Sequence, residues 1–416
     1  MDNTYNLSGY LNYKKGDLCV NEINYNKLLE GRQTPLVCIS LDRIKDNIDL
    51  LKKELDSMNI KYNIHYAVKA SYFKPLLFVM KKNKIGVEVI SKNELKMVRL
   101  LGFSGKEIIF NGLGRDGLEI FEALRKGNIV NINSISELKK IKALNKSVKG
   151  MKVGLRVHPN FKGDGNFVKK EGKLGMSYEE AVEAVNYSAK IGLTISGFSY
   201  HVFSSQTCSL NYCRPLKELT TFINNIKINR DSIKLEYIDI GGGMASRMLF
   251  EGDDKLREFI KQVVITFKKN YSDDISLLLE PGRHLVSDAM VVLSRVKEVK
   301  KNRIGTWAIL DIGTNYLIPA PGADFKVITC KKNKFKELKY TMFVDGICSP
   351  SGFIGKAIVN TKEGEIVAIT NCGAYTSVMK EEFIFSSPEH IFISKMKIIN
   401  RIKAMSFTDF LKYHGW

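Results

Sequence analysis

Short apolar runs alternate with amphipathic stretches along most of the chain. The runs are YNIHYAVKA (62–70), GVEVIS (86–91), EIIFN (107–111), NIVNIN (128–133), KVGLRVH (152–158), ISGFSYHV (195–202), LEYIDIGGG (235–243) and SLLLEPG (276–282). Their length and their Val, Ile, Leu and Tyr content fit strands buried on both faces. Between them, segments such as KNELKMVRLLG (92–102) and SYEEAVEAVNYSAKIG (177–192) carry apolar residues at helical spacing. Strands alternating with helices predict parallel βαβ units, and eight such units in about 240 residues make a (β/α)8 barrel. Past residue 284 or so the texture changes. DAMVVLSRVKEV, TWAILDIG, FKVITC, KYTMFVDG and EIVAITNCGAY read as strands at short spacing without helices between them. This predicts a mostly antiparallel β domain, which GDLCVNEI (16–23) and TPLVCIS (34–40) are expected to join. The expected layout is a β domain of residues 1–40 and 285–416, built from both chain ends, around a barrel of residues 41–284.

Composition agrees with two globular domains: 416 residues, 44% hydrophobic and 26% charged. The first residues contain no apolar core of a secretory signal, and no run of roughly 18 apolar residues is long enough to span a bilayer. Seven cysteines without a CxxC pair argue against a disulfide framework or a zinc site and fit a reducing cytoplasm; no metal is expected. Charge is the unusual figure, with 64 Lys and Arg against 44 Asp and Glu, a net +20. Such an excess favours an acidic partner, or it is a lysine-rich background with no functional content. No basic helix or RNP-like aromatic pattern points to nucleic acid.

Barrel enzymes collect their chemistry at the C-terminal ends of the strands. Those ends carry Lys69, Asn111, Arg156 with His158, His201, Gly241-Gly242-Gly243 and Glu280. A lysine partly desolvated at a barrel mouth has its pKa lowered and condenses with an aldehyde; a lysine snorkelling out of a strand end is the plainer alternative. Three glycines after an apolar strand expose backbone N–H groups to a phosphate, although glycines also serve tight turns. A buried glutamate needs a partner, which a pyridinium nitrogen supplies. A histidine ring at a strand end stacks on an aromatic cofactor, or is simply a satisfied structural histidine. Together the amine, the phosphate cradle, the ring partner and the stacking ring describe a pyridoxal phosphate site.

On these residues the sequence resembles the fold-type III pyridoxal phosphate decarboxylases, which include ornithine and diaminopimelate decarboxylases, from about Gly16 to about residue 395. YAVKAS (66–71) resembles the family's cofactor-lysine motif and implies Lys69 as the covalent anchor. HVFSS (201–205) resembles an HxGS element, implying His201 on the ring and Ser204 on the phosphate, with Phe203 in place of the usual glycine. Gly241, Gly242 and Gly243 match the phosphate-binding glycines. EPGR (280–283) matches the motif whose glutamate, here Glu280, bonds the pyridine nitrogen, followed by Gly282 and Arg283. Arg156 joins the cofactor-binding set. CGAYT (372–376) implies Tyr375 on the phosphate. DGICSPSG (345–352) implies Cys348 as the acid that reaches the partner subunit's site in a homodimer.

Two departures bear on the substrate. Diamine-forming members carry an acidic residue at or shortly after the cysteine; here Ser349, Pro350, Ser351 and Gly352 follow. DIGTNYLIPAPG (311–322) lacks the arginine that holds a substrate carboxylate in diaminopimelate decarboxylases. The motifs are closer to a subgroup acting on acylated or tethered amino acids in natural-product biosynthesis. The resemblance therefore implies decarboxylation of an L-amino acid, free or with an acylated or tethered side chain, with an acidic carrier protein as a candidate partner. The alternatives are a diaminopimelate- or ornithine-type decarboxylase, an amino-acid racemase on the same fold, and an inactive partner-binding homologue. Specificity is expected to lie in the loops 160–173, 316–325 and 377–390.

Overall fold

The computed structural model describes residues 9–159, 172–201, 204–226, 232–303, 305–332, 340–349 and 352–416. Eight parallel strands close into a barrel: Tyr62–Ala67, Gly86–Val89, Ile108–Phe110, Ile129–Ile132, Lys152–Arg156, Thr194–Ser199, Ile233–Asp239 and Ser276–Leu279. These are the eight runs read from the sequence. Closure comes from pairing of the last strand with the first, Leu277–Leu279 against Tyr62–Ile64. A helix follows each of the first seven strands, and the eighth place in the ring is taken by Leu41–Asp56, which precedes the first strand. It packs on Lys74–Lys82 on one side and Asp253–Asn270 on the other. Leu41, Ile44, Ile48, Leu51 and Leu55 form its buried stripe, and Ser40 caps it by accepting from the Arg43 N–H at 3.0 Å.

The same helix fastens both ends of the barrel segment. Arg43 donates to Asp288 from Nη2 at 2.7 Å and from Nε at 3.2 Å, and Asn47 Nδ2 donates to the other carboxylate oxygen at 2.8 Å. Both charged side chains are buried. Removing one partner of such a pair strands a charge away from water. Asp288→Ala is therefore expected to cost about 3–5 kcal/mol, read as a fall in the denaturation midpoint, whereas Asp46→Ala on the same helix should cost far less.

The second sheet runs in the order Phe353–Ile358, Tyr340–Asp345, Thr306–Leu310, Met290–Lys301, Leu36–Ser40, Glu389–Ser394, Lys397–Ile402, with Ile366–Thr370 also paired to the long central strand and Lys326–Thr329 paired to Ile366–Thr370. Two pairings in it are parallel and the rest are antiparallel. TPLVCIS joins it as expected. GDLCVNEI does not: Asp17–Val20 folds back on Leu11–Lys14 through Lys15 and Gly16, both at positive φ, and pairs on its other side with Ile23–Asn24. That hairpin uses its strand edges locally: it touches the larger sheet's ladder at the rim, as in the Leu18 N–H to Cys330 carbonyl bond of 2.7 Å, and otherwise packs Leu11, Leu18 and Val20 against the sheet's side chains.

The barrel interior is unusually polar. Near its N-terminal end Ile109, Tyr237 and Leu278 form a small apolar cluster. Tyr237 lies across the interior because the facing positions are Gly154 and Gly197, where any side chain would collide with its ring or hydroxyl. Above it the interior carries Asn131, Asp239, Asn111, Glu88 and Glu280, all buried.

Candidate active site

Lys69 sits on the short 3-10 turn Val68–Ala70 that leaves the first barrel strand. Its Nζ is paired with Glu88, which points inward from the second strand. The sequence suggested a lysine depressed by desolvation, and burial does push in that direction. The charges of Glu88, Tyr375 and Glu280 outweigh it and hold the amine above the ordinary lysine range. Glu88 is the residue that the sequence reading missed.

Glu280 ends the eighth strand, and its carboxyl accepts from Asn111 Nδ2 at 2.7 Å. Burial, reinforced by the neighbouring Asp239 and Glu88, raises Glu280 well above the usual carboxylate range. His201 follows the sixth strand and accepts the Gly242 N–H on Nδ1 at 3.0 Å. Burial, with Arg156 and Lys69 nearby, pushes the ring down to about 3, so it is a neutral, flat surface at working pH. Arg156 shares the cavity, its charge opposed by burial and favoured by Glu280, Glu88 and Asp239.

The glycine run is shaped for close approach. Gly241 has φ +69 and a side chain there would meet the Tyr200 carbonyl, while one on Gly242 would meet the Glu280 carbonyl. Beside the run lie Ser204, Gly282, Arg283 and Tyr375. Arg283 spends Nη2 on the Pro321 carbonyl at 2.6 Å and lays its guanidinium over the Tyr375 ring at 4.8 Å. Its Nε is buried with no partner among the described residues. Tyr375 reaches this place from the second sheet, its N–H bonded to the Ala70 carbonyl at 2.8 Å. A buried guanidinium N–H left over beside a side-chain-free glycine run and a serine fits an anion such as a phosphate ester, although the Gly241 and Gly242 N–H groups are spent on Asp239 and His201. This pocket opens into a cavity of about 550 Å³ that holds Lys69, Glu88, Asn111, Arg156, His201 and Glu280, ample for an aromatic cofactor and a substrate.

Of the described residues read from the sequence, His158 is buried outside the cavity lining, and the others bar one lie around this cavity, in the pocket beside it or in the glycine run. Cys348 does not: it is exposed on the second sheet's connection between Tyr340–Asp345 and Phe353–Ile358, outside the cavity lining. Gly352, one of the non-acidic residues that follow the cysteine, has φ +113, and a side chain there would run into the Asp345 carboxylate. That carboxylate is engaged with the Thr314 N–H at 2.8 Å and hydroxyl at 2.6 Å, which ties the segment 311–317 to the cysteine segment. Phe203, Pro350, Ser351 and the loop residues 160–171 lie outside the described residues. Of the expected specificity loops, Ala320, Pro321, Met379 and Lys173 reach the cavity mouth. Glu88, Asn131 and Asp239 left one sequence signal: polar residues at alternate positions inside strands that are otherwise continuously apolar.

A (β/α)8 barrel with an amine, a ring partner and a phosphate cradle at one mouth defines a pyridoxal phosphate enzyme. The chain belongs to the pyridoxal-dependent decarboxylases: the profile described as "Pyridoxal-dependent decarboxylase, pyridoxal binding domain" matches residues 41–287, more than half of it. Among similar proteins, the diaminopimelate decarboxylase of Pseudomonas fluorescens is 26% identical over 382 residues, covering 89% of this chain and 90% of that one. That of Methanocaldococcus jannaschii is 25% identical over 391 residues, covering 89% and 88%. The crystal structure of diaminopimelate decarboxylase from M. jannaschii with L-lysine superposes with a TM-score of 0.83 at 22% identity, covering 98% of each chain. Lysine/ornithine decarboxylase from Vibrio vulnificus, complexed with putrescine, gives 0.75 at 20% identity, covering 89% of this chain and 97% of that one. No helix among the described residues is long and apolar enough to cross a membrane.

Proposed function

We propose that this chain removes the α-carboxylate of an amino acid that has no lone distal ammonium, with diaminopimelate the first substrate to try. The observation that carries this reading is the cavity mouth. Among the described residues, Ile90, Leu113, Leu174, Ala320, Pro321 and Met379 form an apolar rim in which Lys173 is the charged group. A cation there favours a distal carboxylate over a distal ammonium. The diaminopimelate decarboxylases among its relatives agree with that chemistry. A second reading, an amino acid with an acylated or carrier-tethered side chain, is favoured by the apolar rim and by the absence of a carboxylate after Cys348. If an acidic carrier delivers it, turnover should fall as ionic strength rises.

Each residue has a task that follows from its position. Lys69 is the amine that would hold the cofactor covalently. Glu280, with Asn111 behind it, is the carboxyl that would partner a ring nitrogen and favour a proton on it. His201 would pack against the ring and exclude water from it. Ser204, Gly241, Gly242, Gly243, Arg283 and Tyr375 anchor the phosphate, and Gly282 leaves room for the Tyr375 hydroxyl. Arg156 balances the carboxylates at the floor of the cavity. Bound pyridoxal phosphate supplies the electron sink that lets carbon dioxide leave.

Cys348 needs a second subunit, because on its own chain it stands apart from the cavity. In a homodimer with shared sites it would protonate the substrate carbon after carbon dioxide has left. Cys348→Ala is expected to keep cofactor and lose most turnover, and mixing it with Lys69→Ala subunits should restore activity by building one intact site. Full activity in Cys348→Ala removes the cysteine from the mechanism. The activity itself is tested by carbon dioxide release over diaminopimelate, ornithine, lysine and their side-chain acylated forms. Racemisation without carbon dioxide, or release only from ornithine and lysine, overturns the proposal.

A further inference from the structure

Beneath Glu280 the barrel contains a hydrogen-bonded chain that the proposed chemistry has not used. Tyr237 donates its hydroxyl to Asn131 Oδ1 at 2.8 Å. With that oxygen occupied, the Asn131 amide turns its N–H groups to Asp239 Oδ2 at 3.2 Å and to Asn111 Oδ1 at 3.1 Å. Asn111 is oriented in turn, and its N–H groups reach Glu280 at 2.7 Å and Glu88 at 3.2 Å. A phenol at one end therefore fixes the direction of two amides, so that each offers donors to the carboxylates above. Asp239 also accepts the Gly241 N–H at 2.9 Å, which couples it to the glycine run. Its carboxyl lies within hydrogen-bonding reach of Glu280. Two carboxyl groups this close and this buried do not both ionise, and a single proton between them satisfies both.

We propose that Asp239 is a positioning residue that shares one proton with Glu280 and, held by Asn131 and Tyr237, sets the charge that Glu280 presents to the cofactor ring. This rests on the reading that places the ring nitrogen at Glu280. Asp239 touches neither ring nor substrate; it acts through Glu280. The charged and titratable groups facing the pair are Lys69 on the turn after the first strand, Glu88 on the second, Arg156 on the fifth and His201 after the sixth. Lys69 is already committed to Glu88, which leaves Arg156 as the remaining cation. Burial raises both carboxyls of the pair, in keeping with a retained proton.

The two ends of the chain should act in opposite directions. Asp239→Asn keeps the shape but removes a negative neighbour, so Glu280 gives up its proton at lower pH. Tyr237→Phe frees Asn131 to turn its oxygen toward Asp239, which favours the protonated acid and holds the proton to higher pH. A loosened structure would not move one titration both ways.

The test uses the full-length holoenzyme loaded with pyridoxal phosphate carrying 15N in its ring. The infrared carbonyl band of buried protonated carboxyl groups is followed against pH, and the ring nitrogen by 15N NMR. Expected is a band persisting at neutral pH in the wild type, with its midpoint moved down by about one pH unit or more in Asp239→Asn and up in Tyr237→Phe. The pH at which the ring nitrogen loses its proton should fall with Asp239→Asn. A wild type without the band at neutral pH, or an Asp239→Asn protein that titrates like it, overturns the proposal while a protonated ring leaves the Glu280 reading standing. A wild-type ring nitrogen that never carries a proton overturns both. If Asp239→Asn does not fold, the wild-type band and the sign of the Tyr237→Phe shift decide.

Discussion

Replacing Lys69 by alanine should abolish turnover, with a loss on the order of 10⁴-fold or more, because the residue that holds the cofactor and hands it to the substrate is gone. Cofactor should then wash out on dialysis, and its lysine-bound absorbance should be missing from the start. The ion pair makes a second consequence unavoidable. Glu88 is 1% exposed, and without Lys69 its carboxylate is left buried beside Glu280 and Asp239. Lys69 itself is 33% exposed, so the cost is that of stranding one buried acceptor, about 1–3 kcal/mol. The double variant Lys69→Ala/Glu88→Gln should regain most of that stability and none of the activity. Added methylamine should return a small part of the activity to Lys69→Ala. A Lys69→Ala protein with the wild-type cofactor spectrum would sink the assignment of the anchor.

Glu280→Gln separates catalysis from stability. The amide keeps the shape and still accepts from Asn111, but it no longer carries a negative charge toward the ring nitrogen. Removing one preorganised charge of this kind costs about 10²–10³-fold in kcat, while KM should change little, since the phosphate and covalent anchors remain. Stability should move the other way. Glu280 keeps its proton in the folded cofactor-free protein well above the ordinary carboxylate range, owing to burial and to Asp239 and Glu88. A raised acid stabilises the folded state fully below the unfolded value of about 4.3, and that contribution is lost as pH climbs toward the folded value. The cofactor-free wild type should therefore lose stability from about pH 4 upward, and Glu280→Gln should flatten that slope in urea midpoints. A variant with unchanged kcat removes Glu280 from the chemistry.

The barrel was legible because each strand is a continuous apolar run and each helix shows its own stripe, so the count of repeats alone named the architecture. The strand-end residues were legible for the same reason: Lys69, His201 and Glu280 break runs that would otherwise stay apolar. What the sequence did not show is how these residues pair. Nothing in GVEV says that its glutamate meets Lys69 from the neighbouring strand, since that depends on the register between the two. Nor does the chain reveal that Gly154 and Gly197 are notches for Tyr237, because a glycine in a strand reads equally as a bulge or a bend. The fate of GDLCVNEI turned on a hairpin through Lys15-Gly16, a local competitor to the long-range pairing that was expected.

Strand Leu36–Ser40 and helix Leu41–Asp56 also govern the order of events at birth. The helix is synthesised well before its clamp partner, since Asp288 lies 245 residues further along than Arg43. The strand lies between Met290–Lys301 and Glu389–Ser394, both made much later. Until those later strands have been made, an apolar strand with two open edges and a helix with an unmatched arginine must wait in solution. Folding of such a chain is governed by its most distant contacts, which makes it slow and leaves a sticky nascent segment exposed. An arrested chain ending before residue 280 is thus expected to recruit chaperones, and the released full-length chain to lose them.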